Sequence, residues 1–165
     1  MFKILVLSLA LIFTACQKSS DDSKGTESNQ SQMGQKLFEN QSQGAANSTE
    51  LTGLWELGTE TTEDGAGRVT ARLQIASDHV IAAVKCEFIG ENSAYEVAYV
   101  GAESSLEYTK DKITFFDRME QSVTLQNRNR CLLNFPAVRM SYSISAGQLS
   151  LCGSDKCLVL NKIAD

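Results

Sequence analysis

The residue types that perform acid–base and nucleophilic chemistry are scarce in this chain. His79 is the only histidine, and it directly follows Ser77 and Asp78. Three adjacent residues cannot adopt the geometry of a catalytic triad, in which the histidine bridges the serine and the aspartate in space. We therefore interpret this segment as a surface turn. We expect the protein not to be an enzyme and to have no catalytic residue.

Carboxylates are more numerous, and several of them crowd one glycine-containing loop. Glu60, Glu63 and Asp64 precede Gly65 and Gly67. They lack the alternating Asp/Asn spacing of an EF-hand loop, so a solvated acidic loop is favoured over a weak calcium site. The net charge is −5 and no basic segment dominates, which argues against nucleic acid as a partner. We expect no metal and no cofactor.

Cysteine is the remaining residue type with chemistry of its own. One cysteine, Cys16, stands near the N-terminus, and four others lie further along the chain at Cys86, Cys131, Cys152 and Cys157. Four cysteines can hold a zinc ion or form two disulfides. Their spacing lacks the paired C-x₂-C of structural zinc sites, which favours disulfides.

The first sixteen residues have the pattern of an export signal. Lys3 precedes an apolar run over residues 4–13, which is shorter than the roughly 20 residues of a membrane-spanning helix and fits the apolar centre of a signal peptide. Phe13-Thr14-Ala15-Cys16 resembles the lipobox of bacterial lipoproteins. The resemblance implies cleavage before Cys16, removal of residues 1–15, and acylation of the Cys16 thiol. An ordinary signal peptide with an incidental cysteine is the alternative.

The same resemblance implies a location in the cell. Lipoproteins retained in the inner membrane often carry an aspartate after the acylated cysteine, and this chain has Gln17 there. We therefore expect a lipid anchor in the outer membrane of a bacterial envelope, with the remaining chain in the periplasm or at the cell surface. Export also places the other four cysteines in an oxidising compartment, where disulfides form.

Residues 16–50 differ sharply in composition from the remainder. Ser, Gln, Asn, Asp, Glu and Gly dominate, and the large apolar residues are Met33, Leu37 and Phe38. Such a segment buries too little apolar surface to offset the entropy of ordering. We predict a flexible tether with a single helical turn around residues 33–38. A random-coil tether of this length has an r.m.s. reach of roughly 30 Å, so the domain is expected to float clear of the membrane.

Residues 51–165 show strand after strand. Apolar and polar residues alternate over residues 68–75 and again over 80–88, which is the period-two pattern of strands with one buried face. Pairing Ile75 with Val80 also pairs Val69 with Cys86, so the register agrees on one face. Other predicted strands cover 94–101, 104–109, 112–117 and 130–135. The domain has no sustained helical period, and many short strands with one apolar face predict an all-β fold, either an antiparallel barrel or a sandwich.

The C-terminal strands allow the cysteines to be paired. We predict strands over 138–145, 148–152 and 157–162, joined by a two-residue turn at Ala146-Gly147 and a four-residue loop. Cys152 and Cys157 then face each other off the apolar face, whereas Cys86 and Cys131 lie on apolar faces. Because side chains on opposite faces cannot meet disulfide geometry, we predict the bonds Cys86–Cys131 and Cys152–Cys157.

The start of the domain carries a short motif. Gly53-Leu54-Trp55 resembles the Gly-x-Trp motif at the start of lipocalin and lipocalin-like barrels. The resemblance implies that the all-β domain is a small antiparallel up-and-down barrel. It also implies that Trp55 closes one barrel end and packs near a basic residue of the last strand, for which Lys162 is the candidate. The alternative is that Trp55 is simply the largest core residue of a small β domain. At about 115 residues, the domain is shorter than a typical lipocalin.

The sequence thus leads to two functional hypotheses for a membrane-anchored lipoprotein. In the first, a lipocalin-like barrel binds a small apolar ligand. In the second, the barrel has no internal ligand and acts as a protein-interaction module or inhibitor in the cell envelope. A filled barrel interior, together with no saturable binding of a hydrophobic fluorophore, would favour the second.

Overall fold

The structure, a computed structural model, describes residues 27–39, 50–61, 67–89, 95–125 and 129–164. The predicted signal peptide, Cys16, most of the predicted tether and the acidic loop over residues 62–66 lie outside the described residues. One helix and ten strands are seen in this part of the chain. They are α1 (Glu27–Glu39), β1 (Gly53–Thr61), β2 (Gly67–Ile75), β3 (His79–Ile89), β4 (Tyr95–Tyr108), β5 (Lys112–Phe115), β6 (Met119–Thr124), β7 (Arg130–Phe135), β8 (Val138–Ser145), β9 (Gln148–Cys152) and β10 (Cys157–Ala164).

Eight of the strands form a closed antiparallel barrel in the order β1-β10-β9-β8-β5-β4-β3-β2. Without β6 and β7, each strand lies beside its neighbour in sequence, and β1 and β10 close the circle. The predicted fold class, an up-and-down all-β barrel, is therefore confirmed. Closure removes the unpaired sheet edges that expose backbone groups to association with other chains.

The predicted registers are confirmed wherever the alternation is strong. Ile75 pairs with Val80 and Val69 pairs with Cys86, and the last two hairpins have the predicted partners. At the turn between β8 and β9, Ala146 and Gly147 have φ values of 51° and 74°. Positive φ at both central residues is typical of the type I′ turn, whose twist matches that of the flanking strands.

Strands β6 and β7 form a separate two-stranded sheet, inserted between β5 and β8. One face of this hairpin is apolar and joins the interior of the barrel. Its buried residues are Met119, Cys131, Leu133 and Phe135. Only β7 was expected from the sequence, because β6 carries just two apolar side chains on its inward face, Met119 and Val123.

Two predictions about local structure were wrong. Residues 94–101 and 104–109 are not separate strands, because β4 continues through Gly101 and pairs with β3 on both sides of it. The glycine marks a close approach of another backbone and not a break. In addition, part of the predicted tether is ordered. Helix α1 has thirteen residues, whereas the sequence predicted only one helical turn. Packing against the barrel stabilises this polar helix, which its composition alone did not predict.

In the part of the chain that the structure describes, no helix has the length and apolar character to cross a membrane.

Candidate functional site

The end of the barrel where β1 meets β10, hereafter the Trp55 end, is closed by a fully buried tryptophan. The Trp55 ring has no accessible surface, and its indole Nε1–H donates a 2.8 Å hydrogen bond to the Leu51 carbonyl. This bond satisfies the ring's single donor, which would otherwise be costly to bury. Trp55 also pairs directly with Lys162 across the β1–β10 seam.

Lys162 takes the position that the lipocalin resemblance implies for a basic residue. Its Nζ lies 5.3 Å from the centre of the Trp55 ring and donates a 3.3 Å hydrogen bond to the Glu50 carbonyl. The residue is only 8% exposed, so the ammonium is held by the ring face and by carbonyl oxygen in a largely dry setting. A cation over an indole face is the strongest form of cation–π contact.

Gly53 completes this end for a steric reason. Its φ is +126°, in the region that side chains rarely adopt. A Cβ there would lie 2.6 Å from the Ala164 carbonyl oxygen and 2.8 Å from Lys162 Cε. The structure thus brings Gly53, Trp55 and Lys162 into one contact group.

The interior above Trp55 is filled with side chains. Large inward-facing residues from opposite walls of the barrel have an accessible fraction of 1% or less, namely Val80, Val84, Phe88, Ile113, Phe115, Leu149 and Leu151. These described side chains therefore occupy the barrel interior at the positions where they lie.

The inserted hairpin provides part of this filling at the other end of the barrel, hereafter the hairpin end. The Phe135 ring packs edge-on against Phe115 with ring centroids 4.9 Å apart. The hairpin forms no backbone ladder with the barrel strands, and a covalent bond joins the two. Cys131 of β7 bonds to Cys86 on the inner face of β3, with Cα atoms 5.7 Å apart.

The second disulfide lies at the last hairpin. Cys152 and Cys157 are cross-strand partners of β9 and β10, and their side chains are not part of the core. Both predicted pairings are thus confirmed, and they indicate an oxidising, extracytoplasmic compartment.

The lone histidine lies at a turn, with its Nδ1 2.8 Å from an oxygen of the Asp78 carboxylate. This hydrogen bond lowers the pKa of Asp78, and the positive charge of the imidazole acts in the same direction, while slight desolvation opposes both. Ser77 and Asp78 both line a surface depression, and a hydrogen bond from the Ser77 side chain also lowers the pKa of Asp78.

Two open depressions flank Tyr108 on the outside of the Trp55 end. The first, about 480 Å³, includes Lys112 and Arg139, and the second, about 460 Å³, includes Lys110 and Tyr142. The Tyr142 hydroxyl donates a 2.7 Å hydrogen bond to the Thr109 carbonyl. Burial raises the pKa of Tyr142, and the nearby Tyr108 and Asp111 raise it further.

Helix α1 packs on the outer face of the barrel. At the crossing point, Gly34 meets Gly101 so closely that a Cβ on Gly101 would lie 2.8 Å from the Gly34 nitrogen. Further along the helix, Leu37 is buried in a second apolar cluster with Leu54, Ala83 and Ala164. The helix therefore runs from β4 across β3 towards the β1–β10 seam.

One arginine attaches the last turn of this helix to the barrel wall. Arg72, which is 8% exposed, donates through Nε to Glu56 Oε2 at 2.8 Å. One of its terminal nitrogens donates to the Leu37 carbonyl at 2.9 Å, and its guanidinium carbon lies 4.5 Å from the centre of the Phe38 ring. A planar group with five donors can make these contacts simultaneously, whereas a lysine cannot.

Among the described residues, no group of three or more His, Cys, Asp or Glu side chains is placed to hold a metal ion. The chain matches no known protein family, and no curated protein or solved structure shows significant similarity to it.

Sequence reasoning located the Trp55 end but missed the helix–barrel contact. The available signal was a pair of glycines, Gly34 within an apolar-spaced segment and Gly101 within a strand pattern. Neither glycine indicates its partner, since the contact joins segments 67 residues apart in sequence.

Proposed function

We propose that this protein is a lipid-anchored lipoprotein of the bacterial envelope whose barrel is a solid binding module that recognises a macromolecular partner through its outer surface. The signal-like N-terminus and Cys16 support the anchor. The two disulfides support an extracytoplasmic location. The filled interior supports recognition on the outside, and no catalysis is included in the proposal.

The observation that carries the choice is the packing of the barrel centre. Ligand sites are cavities of about 300–1,000 Å³ that surround most of a small molecule. Here the Phe115 and Phe135 rings pack against each other inside the barrel, towards the hairpin end, and both are 1% exposed. A ligand would have to displace these rings, at a cost of lost packing on every side.

The outer surface offers an aromatic anchor of the type found at interfaces. Tyr108 is 39% exposed and separates the two depressions described above. Tyrosine and arginine are enriched among the residues that contribute most to protein–protein binding, and Arg139 lines the depression on one side of Tyr108. We assign the partner-binding surface to this region.

Binding of a small apolar ligand is the second candidate, supported by the lipocalin-like closure at Trp55. It requires the β6–β7 hairpin to move out of the barrel. The Cys86–Cys131 bond ties this hairpin to β3, so the solid-module proposal is favoured.

Fluorophore titration separates the two candidates. We expect the oxidised wild-type protein to show no saturable binding of 1-anilinonaphthalene-8-sulfonate or of a fluorescent fatty acid. F135A opens an apolar space of the size that holds benzene or xenon, so it should gain binding of benzene, which the wild type lacks, and still bind neither fluorophore. L133A is a second such variant if F135A does not fold. Saturable one-to-one binding by the wild type would instead establish the small-ligand function.

The anchor is tested separately in a bacterial host. Metabolic labelling with palmitate should mark the full chain, and C16S should abolish the label. An unlabelled wild-type chain would contradict the anchor without affecting the conclusion about the barrel interior.

A further inference from the structure

We propose that the β3–β4 side of the barrel lies against the membrane and inserts an apolar patch into the lipid interface. The patch, hereafter the hairpin-tip patch, consists of Ile89, Tyr95 and Val97. This inference rests on the proposed lipid anchor at Cys16, because the anchor brings the barrel to the bilayer.

The three residues form one exposed group. Ile89 and Tyr95 are direct cross-strand partners near the tip of the β3–β4 hairpin, and Val97 lies two residues further along β4 on the same face. Their exposed fractions are 51%, 59% and 45%. Contiguous exposed apolar side chains mark interaction surfaces, and tyrosine is enriched where proteins meet the headgroup region of a bilayer.

The direction of helix α1 brings the lipid-bearing end of the chain to this side. Gly34 contacts Val100 and Gly101 of β4, whereas Leu37, later in the helix, packs on β1, β3 and β10. The N-terminal half of the helix therefore approaches from β4. Phe38 also contacts Tyr99, the next outward residue after Val97, so the helix-covered surface continues into the patch.

The remaining connection is short. Ten residues, 17–26, separate Cys16 from the first residue of α1. A random coil of that length has an r.m.s. reach of about 17 Å, less than the width of a small barrel with side chains. The expectation that the barrel floats clear of the membrane assumed a flexible segment as far as residue 50. Because α1 is packed on the barrel, the wall that carries β4 is held near the lipid.

The charges around the patch favour apolar insertion over electrostatic attraction. Lys85 and Glu87, which border it on β3, pair with each other at 2.8 Å. The chain as a whole is acidic, with a net charge of −5, so anionic lipids do not attract it. We therefore expect contact with the bilayer to depend little on ionic strength.

Tryptophan scanning with a matched control tests the orientation. Val97 and Val159 are both 45% exposed and point outward, and they lie on β4 and β10, which are four strands apart in either direction around the barrel. V97W and V159W are reconstituted as lipidated protein in phosphatidylethanolamine–phosphatidylglycerol vesicles that contain brominated lipid. Y95W is a second patch variant, and the wild type, with Trp55 buried, gives the baseline.

We expect several-fold stronger quenching for V97W and Y95W than for V159W, with little change when salt is added. Equal quenching at both positions would overturn the orientation. An absence of quenching at all positions would overturn membrane contact, and a dimer that V97D dissociates would assign the patch to a second copy instead.

Mass spectrometry of the mature protein shows independently whether Cys16 carries lipid. If it does not, a maleimide lipid coupled to the Cys16 thiol supplies the anchor, and the same quenching comparison is made. Failure of lipidation in the cell is thereby distinguished from failure of the barrel to dock.

Discussion

The two ends of the barrel are closed by different means. At the Trp55 end, the first and last strands are hydrogen-bonded neighbours. This end is closed by the Trp55 ring, with Lys162 over its face. Gly53 has no side chain that would collide with Lys162. At the hairpin end, the closing element has no backbone ladder to the wall and is held by side-chain packing and the Cys86–Cys131 bond.

The difference follows from how each element is connected. The position of a barrel strand is set by its register with the neighbouring strands. Noncovalent contacts between side chains on such strands are therefore sufficient to close the Trp55 end. The β6–β7 hairpin forms no such register with the barrel strands, so side-chain packing and the Cys86–Cys131 bond set its position. A cross-link therefore contributes most where the backbone ladder contributes nothing. Four changes test this comparison.

The largest effect is expected at the Trp55 end. W55A should lower the free energy of unfolding by about 3–5 kcal/mol, because it removes a large buried side chain and leaves a cavity. W55F should cost less, since it keeps most of the volume and loses the hydrogen bond to Leu51 and the stronger cation–π contact. Urea denaturation measures both. Equal losses in the two variants would show that ring volume is not what stabilises this end.

The two disulfides provide the next test, and each is the control for the other. Replacing Cys86 and Cys131 by alanine should lower the free energy of unfolding by about 4 kcal/mol in the chain-entropy model. The same replacement of Cys152 and Cys157 should lower it by about 2 kcal/mol. The sequence separations are 45 and 5 residues.

The first double variant should also make the hairpin exchange its amide hydrogens faster, while β9 and β10 stay protected. If both double variants lost the same stability, with the hairpin still protected, the hairpin would be held by packing alone.

A third change concerns the outside of the barrel. R72A should lower the free energy of unfolding by about 1.5–3 kcal/mol, because Glu56 and the Leu37 carbonyl lose their charged hydrogen-bond donor. R68A, at an exposed position on the same face of β2, should stay within about 0.5 kcal/mol of the wild type. Amide exchange in α1 should increase in R72A alone. An α1 that stays protected in R72A would show that the glycine contact and Leu37 are sufficient.

The smallest effect is expected at the exposed turn, away from both ends. The hydrogen bond from His79 lowers the pKa of Asp78 in the folded protein. A lowered folded-state pKa contributes stability at pH values above the unfolded pKa, and this contribution is lost as the pH falls through the folded pKa. H79A should therefore raise the Asp78 titration midpoint, measured by carboxyl NMR, and leave the core resonances unchanged. An unchanged midpoint would contradict the contact.

Much of the barrel could be predicted because its cause is local. Alternating residues in β2 and β3 are sufficient to set which face is buried, and once faces are known only one pairing of the four cysteines satisfies the geometry of both bonds. The Gly53–Trp55 motif indicated its contact with Lys162 through resemblance. The helix was underestimated because Met33, Leu37 and Phe38 bury apolar surface only against the barrel. Strand β6 was missed because its inward face carries only two apolar side chains, Met119 and Val123.

The sequence by itself determined the alternation of the strands, the turn at Ala146-Gly147 and the pairing of the cysteines, since each depends on residues close in sequence or on a strict period of two. Only the tertiary structure decided that the interior is filled and that α1 is packed outside. Both depend on volumes and backbone approaches between distant segments, such as Phe115 with Phe135 and Gly34 with Gly101. No local pattern encodes the distance between two such surfaces.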